Sequence, residues 1–380
     1  MKRSYLLIGV LLLGCLSCKK KGHAQQDACN NAAFQSETNH SFYAGQLKQY
    51  QTINALPGAI LGIASPQQLW INASGLANRE SKQPIAPCTP FRVGSITKMF
   101  TAALIMQLQE QGALSLDSRI SQLLPALDGR IPAAGQITVR MLLNHSSGIT
   151  DPKNDDTQYL ADIKADPMAI GQLSIDQKLS RYVFDRPLHF APGSAARYSN
   201  TGYWLLGKIA EQLSGKSMQQ LLQEKIFIPL GMQHSYYEKR ANDSLAQGYH
   251  ELEGHLLNVT VYDQADGDAD PSSGIISTAA DLVRFAKGFF GARLFSAAAL
   301  KQMKEILHLP SCADGDCGYT LGFESWQVGA HTGWGMNGSS IGYETNLVYF
   351  PDKEIIFISF GNKGGGSHKA FIEAILSQAH

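Results

Sequence analysis

An excess of charge of either sign is what this sequence most plainly lacks. Its 380 residues include 32 Lys or Arg and 32 Asp or Glu, a formal net charge of zero. There is no basic stripe to hold nucleic acid and no acidic tail to hold a cationic partner. Past the N-terminal stretch, no run approaches the ~20 apolar residues that a membrane-spanning helix needs. Past it, too, no C-x-x-C pair occurs, which argues against a structural zinc site. Two near-matches to metal motifs fail on detail. His250 and His255 stand five apart around Glu251, not four, and Gly254 weakens any helix there. Asp266, Asp268 and Asp270 begin like a calcium loop, but Pro271 occupies the place of the required Gly and Ser277 that of the bidentate Glu. No metal, no cofactor and no nucleic-acid partner are expected, and no internal repeat is visible.

What is present begins with a targeting segment. Lys2 and Arg3 precede a short apolar run over residues 5–13, the pattern of a secretory signal. Leu12-Leu13-Gly14-Cys15 resembles a bacterial lipobox, whose Cys is lipidated after cleavage, and Cys18 is a second candidate. A plain signal cut near Ala24 is the alternative. Residues 19–26 then form a polar tether, and any membrane contact runs through the N-terminal lipid. An exported chain of the cell envelope, periplasmic or secreted if not lipidated, is the expectation. Four further cysteines remain: Cys29, Cys88, Cys312 and Cys317. Four thiols allow three connectivities. Cys312 with Cys317 is the plausible loop staple, leaving Cys29 to tie the N-terminal segment to Cys88.

With 44% apolar and 17% charged residues, the rest can bury one large core or two interleaved ones. Residues 34–55 read as helix, and 59–64 with 69–76 as a hairpin. An apolar helix from Ser95 to about Gly112 follows, then helices to about Gly231, including a capped one at 138–143 and one starting at Asn200 and closed by Gly215. The polar stretch 151–166 reads as a surface loop. Residues 246–261 alternate weakly, 266–274 are turn-rich, Thr278 caps a helix to Phe290, and Ser296 caps one to Leu307. Residues 322–330, 341–350 and 354–360 are strand-like, and 368–376 form a last helix. Sheet, helices and sheet again imply a helical region inserted into an α/β domain. The divisions are 1–27 for signal and tether, 28–93 and 246–380 for the α/β domain, and 94–245 for the helical one.

Ser95-Ile96-Thr97-Lys98 opens the most apolar of these helices. Three apart, Ser95 and Lys98 share a face one turn up. An uncharged Lys can take the Ser proton, but its unperturbed pKa of about 10.4 must first be depressed by burial or by a nearby positive charge. Residues 99–108 leave almost no polar face, the mark of a buried helix. Ser95 at its N-terminus has backbone N–H groups turned toward a developing oxyanion. Because S-x-x-K recurs by accident from Ser17 to Lys20, the tetrapeptide needs company. Tyr198-Ser199-Asn200 is the only Y-x-N and enters a helix; His331-Thr332-Gly333 is the only H-T-G or K-T-G and precedes Trp334-Gly335. By contrast, Gly338 to Gly342 matches the G-x-S-x-G elbow, which needs a helix after its Ser. Residues 343–350 read as strand, so Ser340 is set aside.

The ordered set Ser95-x-x-Lys98, Tyr198-x-Asn200 and His331-Thr332-Gly333 resembles the serine β-lactamase and penicillin-binding-protein superfamily, in particular its class C β-lactamase, DD-peptidase and esterase branch. Leu142 to Ile149, Pro192-Gly193-Ser194, Pro229 to Met232 and Ser273 to Thr278 resemble segments of that branch as well, and the likeness runs from about Phe34 to the C-terminus. It implies an α/β plus all-α fold, an antiparallel sheet flanked by helices with an inserted helical domain. By the same resemblance Ser95 is the nucleophile and Lys98 keeps the proton network poised. Tyr198 is the general base and later acid, with a pKa that charged Lys98 and His331 would lower. Asn200 binds the acyl side-chain amide, and His331 replaces the Lys of many β-lactamases beside Thr332 and Gly333. The N–H groups of Ser95 and Trp334 form the oxyanion hole, while His145 serves local hydrogen bonding behind the site. The expected activity is that of an exported serine hydrolase acting on small-molecule or peptide substrates, either D-amino-acid peptides of the cell wall or β-lactam-like amides. A small-ester esterase and a non-turnover sensor of cell-wall fragments are the alternatives. Oligomeric state is not legible.

Overall fold

Alternation along the most apolar strands decides the layering. In chain order the strands are β1 Gly58–Ala64, β2 Leu69–Asn78, β3 Gln83–Pro84, β4 Phe91–Arg92, β5 Tyr249–Leu252, β6 His255–Asn258, β7 Ile276–Ser277, β8 Glu324–Val328, β9 His331–Ser339, β10 Glu344–Phe350 and β11 Ile355–Gly361. The computed structural model describes residues 39–238, 244–307, 318–366 and 369–378. Seven strands form one antiparallel sheet in the order β3-β2-β1-β11-β10-β9-β8. Both β1 and β11 are buried along their whole length, so successive side chains must satisfy two apolar layers. Ile60, Ile356, Ile358 and Phe360 point into the larger core, whereas Ala59, Leu61, Ile63, Ile355 and Phe357 point into the smaller one.

The smaller core is roofed by the first and last described helices. Tyr43, Leu47 and Tyr50 of α1 (His40–Ile53) meet Phe371, Ile372 and Ile375 of the terminal helix Lys369–Gln378. The larger core is organised by α2 (Thr97–Glu110), where only Gln107, Gln109 and Glu110 escape full burial. Phe100 of α2 stacks on Phe285 of the helix Ala279–Phe290 with ring centroids 3.6 Å apart. Every described element from Thr97 to Leu230 is helical. Those that matter to the cleft are α3 (Val139–Leu143), α4 (Pro152–Asp155), α5 (Thr157–Ala165) and α6 (Asn200–Ser214), joined later by α7 (Thr260–Gly267).

Three expectations need correction. Residues 151–166 are not a surface loop but α4 and α5. Their polar residues are caps: Asp151 accepts from Lys153 N, and Asp156 from Gln158 N and Tyr159 N, with Pro152 at the first helical position of α4. Residues 331–339 are a full strand, β9. Its glycines disguise it, yet packing requires them, since a Cβ on Gly335 would lie 1.9 Å from Leu347 O. Finally, the helix capped by Ser296 stops at Met303, short of Leu307. Cys88 is disulfide-bonded; Cys29, Cys312 and Cys317 lie outside the described residues, as do the targeting segment and its Cys15 and Cys18.

Candidate active site

Ser95 sits in a 3-10 turn, Gly94–Ile96, that runs straight into α2. Gly94 takes a positive φ of 52° and packs on Gly338 of β9. A Cβ on Gly338 would lie 2.1 Å from Val93 O, so only glycine lets the strand approach this closely. One turn on, Lys98 is fully buried, with Nζ 3.1 Å from Ser95 Oγ. The same nitrogen donates to Asn200 Oδ1 at 2.7 Å and to the Ser272 carbonyl at 3.0 Å. Tyr198, just before α6, donates its hydroxyl to Ser95 Oγ at 2.6 Å. The structure thus brings Ser95, Lys98, Tyr198 and Asn200 together from segments about a hundred residues apart in sequence.

The three contacts of Lys98 Nζ accommodate either an ammonium donating to all of them or a neutral amine. A neutral Lys98 amine has two protons, matched to Asn200 Oδ1 and Ser272 O, and one lone pair, aimed at Ser95. Ser95 can then donate to Lys98 while it accepts from Tyr198. Electrostatics bring the amine within reach: burial, and after it the Lys153 ammonium, bring the Lys98 pKa down to about 7 against the opposing pull of Asp270, Asp151 and Glu324. Lys153 itself stays charged. Burial works against it, but Asp266 and Asp270, at 3.1 and 3.0 Å, outweigh burial and hold its pKa above the usual value.

Tyr198 reverses one expectation. Burial raises its pKa well above the ordinary tyrosine value, with Glu324 adding to the effect, so it stands as a protonated donor rather than a ready base. His145 lies against its ring, centroids 4.5 Å apart, and accepts Ser199 N–H at 3.1 Å through Nδ1. Burial, with Lys98 nearby, brings its pKa down to about 3, which keeps it neutral and structural.

Further residues of the site carried no sequence motif. Asp151, 1% exposed, accepts both Asn200 N and Asn200 Nδ2 at 2.9 Å and so fixes which way the Asn200 amide faces. Asp270 accepts Ser272 N at 2.7 Å and Trp204 Nε1 at 2.7 Å, which aims the Ser272 carbonyl at Lys98. Asp151-Pro152, read as a helix start rather than loop, was the available signal for the first; nothing marks the second.

His331, Thr332, Gly333 and Trp334 are not brought to the site. They begin β9, while Gly338 at its other end packs on Gly94, a separation of roughly 23 Å along an extended strand. His331 pairs with Asp352, Thr332 donates to Gln327 at 3.1 Å, and Trp334 packs on Phe323. The segment that edges the cleft reads Met336-Asn337-Gly338-Ser339. Here β8 has ended, its last pair being Glu324 with Gly335, so one edge of β9 is open. Ser340 N bonds Tyr343 O at 3.0 Å. By antiparallel alternation the next pair, Ser339 with Glu344, is non-hydrogen-bonded, and the Ser339 N–H points off the open edge toward the Ser95 turn. Ser339, not Trp334, supplies the strand-edge donor.

A cavity of about 890 Å³ opens over these groups, lined by Ser95, Tyr198, Asn200, Asn337 and Ser339 among others. A family model described as Beta-lactamase matches residues 45–379. The chain belongs to the Beta-lactamase family. It is a serine hydrolase with the mixed helix-and-antiparallel-sheet fold of that family. Penicillin-binding protein 4 of Amycolatopsis lactamdurans is 28% identical over 345 residues, 86% of each chain. Two solved structures share the fold of this Beta-lactamase family chain at 23% identity. A D-stereospecific amidohydrolase from Streptomyces sp. superposes with a TM-score of 0.76 over 87% of this chain and 97% of its own. A D-amino acid amidase from Ochrobactrum anthropi SV3, complexed with D-phenylalanine, does so at 0.74 over 88% and 96%.

Proposed function

We propose that this hydrolase cleaves amides or esters of D-amino acids through an acyl-enzyme on Ser95. The hydrogen-bond chain from Tyr198 through Ser95 to Lys98 carries the reading. Neutral Lys98 takes the Ser95 proton as Oγ attacks the carbonyl, and the N–H groups of Ser95 and Ser339 receive the oxyanion. The ammonium so formed favours release of the Tyr198 proton to the departing nitrogen or oxygen. The phenolate then takes a proton from the water that attacks the acyl-enzyme, and Ser95 leaves with the Lys98 proton, restoring both groups.

The cleft edge of β9 argues for an uncharged leaving group. Met336, buried, and the neutral Asn337 and Ser339 place no cation on this edge for a C-terminal carboxylate; His331 stands at the far end of the strand, and the cations that line the cavity, Arg92, Lys153 and Lys164, stand on other elements. The names of the two structural neighbours support the D-amino-acid part of the reading. D-phenylalanine amide, a D-Ala-D-Ala peptide, a chromogenic cephalosporin and a nitrophenyl ester separate the possibilities by kcat/KM. We expect the amide and ester to lead and Ser95→Ala to abolish turnover of both. A D-Ala-D-Ala peptide preferred tenfold or more, or a cephalosporin that labels Ser95 without turnover, would overturn the substrate assignment. The sequence signal alone supports the further proposal of export with lipidation at Cys15 or Cys18, which fractionation of Cys15→Ala and Cys18→Ala checks.

A further inference from the structure

The wall of the cleft carries a second, chemically distinct feature. Leu160 of α5, Leu252 of β5, Leu257 of β6 and Ile341 of the β9–β10 turn are between 39% and 55% exposed, and all four line the cavity above Ser95. Large apolar side chains left in water and gathered on one concavity mark a binding surface rather than ordinary surface scatter. Strands β5 and β6 form a two-stranded ribbon, with Leu252 opposite His255 and Leu257 opposite His250, joined to the described remainder of the fold by a single β-bridge between Tyr249 and Lys363. Apart from Tyr249, none of the eight residues in the two strands is fully buried. A two-stranded ribbon is marginal alone; this one is fixed at its base, where Tyr249 N donates to Asn362 O at 3.0 Å and the Tyr249 hydroxyl to Glu80 at 2.6 Å.

We propose that the β5–β6 hairpin, with Leu160 and Ile341, is an apolar clamp that binds the hydrophobic group of the substrate acylating Ser95 and makes the enzyme selective for bulky apolar acyl groups. The proposal rests on the Ser95 reading above. The occupant is substrate because the four side chains stand on the walls of the cavity that also holds the nucleophile, and about 890 Å³ is the size of a small-molecule site. A lipid surface or a second copy of the chain would need a convex or flat face. Because the leucines are 44–55% exposed, their contact area is won when a substrate covers them.

The test compares kcat/KM for nitrophenyl octanoate and nitrophenyl acetate in the wild type, in Leu252→Ser/Leu257→Ser, in Leu160→Ser on a different element, and in Ile53→Ser, an exposed apolar control that does not line the cavity. Labelling of Ser95 by a fluorophosphonate is followed in parallel. The clamp predicts that the octanoate-to-acetate ratio falls about tenfold or more in the double variant and severalfold in Leu160→Ser, is unchanged in Ile53→Ser, and that Ser95 is labelled throughout. An unchanged ratio with Ser95 labelled overturns the clamp and leaves the nucleophile standing, the more so if the double variant instead loses liposome binding or self-association. A wild type whose Ser95 is not labelled overturns both.

Discussion

At the scale of single residues, the site depends on two lysines held in opposite states. Lys98 is brought down to about 7 by burial and by Lys153, while two carboxylates hold Lys153 charged. A general base works only when deprotonated, so kcat/KM for a neutral ester should rise with pH through about 7 and fall away below it. In Lys153→Met that limb should move upward by about one unit or more. A cation that disfavours charge on Lys98 is gone, and the freed Asp270 favours it. The variant should also lose stability, because Asp270, 1% exposed, keeps its bonds from Ser272 and Trp204 and the pull of Lys178 but loses the Lys153 ammonium beside it. A pH profile of activity beside a denaturant titration checks both, and an unmoved limb in a folded variant contradicts the account of Lys98. At this scale the sequence was informative where chemistry is local. Ser95, Lys98, Tyr198 and Asn200 could be read because short motifs in this order resemble those of a known superfamily. The direction of the Tyr198 pKa could not, since it depends on burial by elements far along the chain.

At the scale of elements, the cleft is a contact between a 3-10 turn and the open end of one strand. That contact was the least legible part. Asn337-Gly338 reads as a turn dipeptide, and three glycines in nine residues weaken any strand signal, so attention fell on His331-Thr332-Gly333 at the wrong end of β9. Likewise the caps Asp151 and Asp156, with Pro152, made α4 and α5 look like loop and hid the residue that orients Asn200. The two ends of β9 should respond differently to substitution. Gly338→Ala places a Cβ 2.1 Å from Val93 O and 2.4 Å from Thr345 Oγ1, forcing the strand off the Ser95 turn. A displacement near 1 Å should cost about a hundredfold in kcat. His331→Ala loses only a half-exposed pairing with Asp352 and should change kcat by less than about twofold. Steady-state kinetics on the two purified variants decides, and the reverse ranking would return the site to His331.

At the scale of the molecule, the first and last described strands interlock. β1 pairs with β11 over six residues, so the sheet cannot close until both ends of the chain are in place. The helices between them carry Lys98, Asp151 and Asn200 to the open edge of β9. The layering was readable in outline, because apolar runs near both termini with helices between demand such a sheet; the meeting point of helix and sheet was not, because no local pattern records a contact made across 240 residues. The central claim, an acyl-enzyme on Ser95, is tested most directly by quenching the enzyme in acid during turnover of a slow D-amino-acid ester and mapping the added mass by peptide mass spectrometry. The account predicts one acyl group on the peptide containing Ser95, absent from Ser95→Ala. An adduct on another residue, or wild-type turnover by Ser95→Ala, would contradict it.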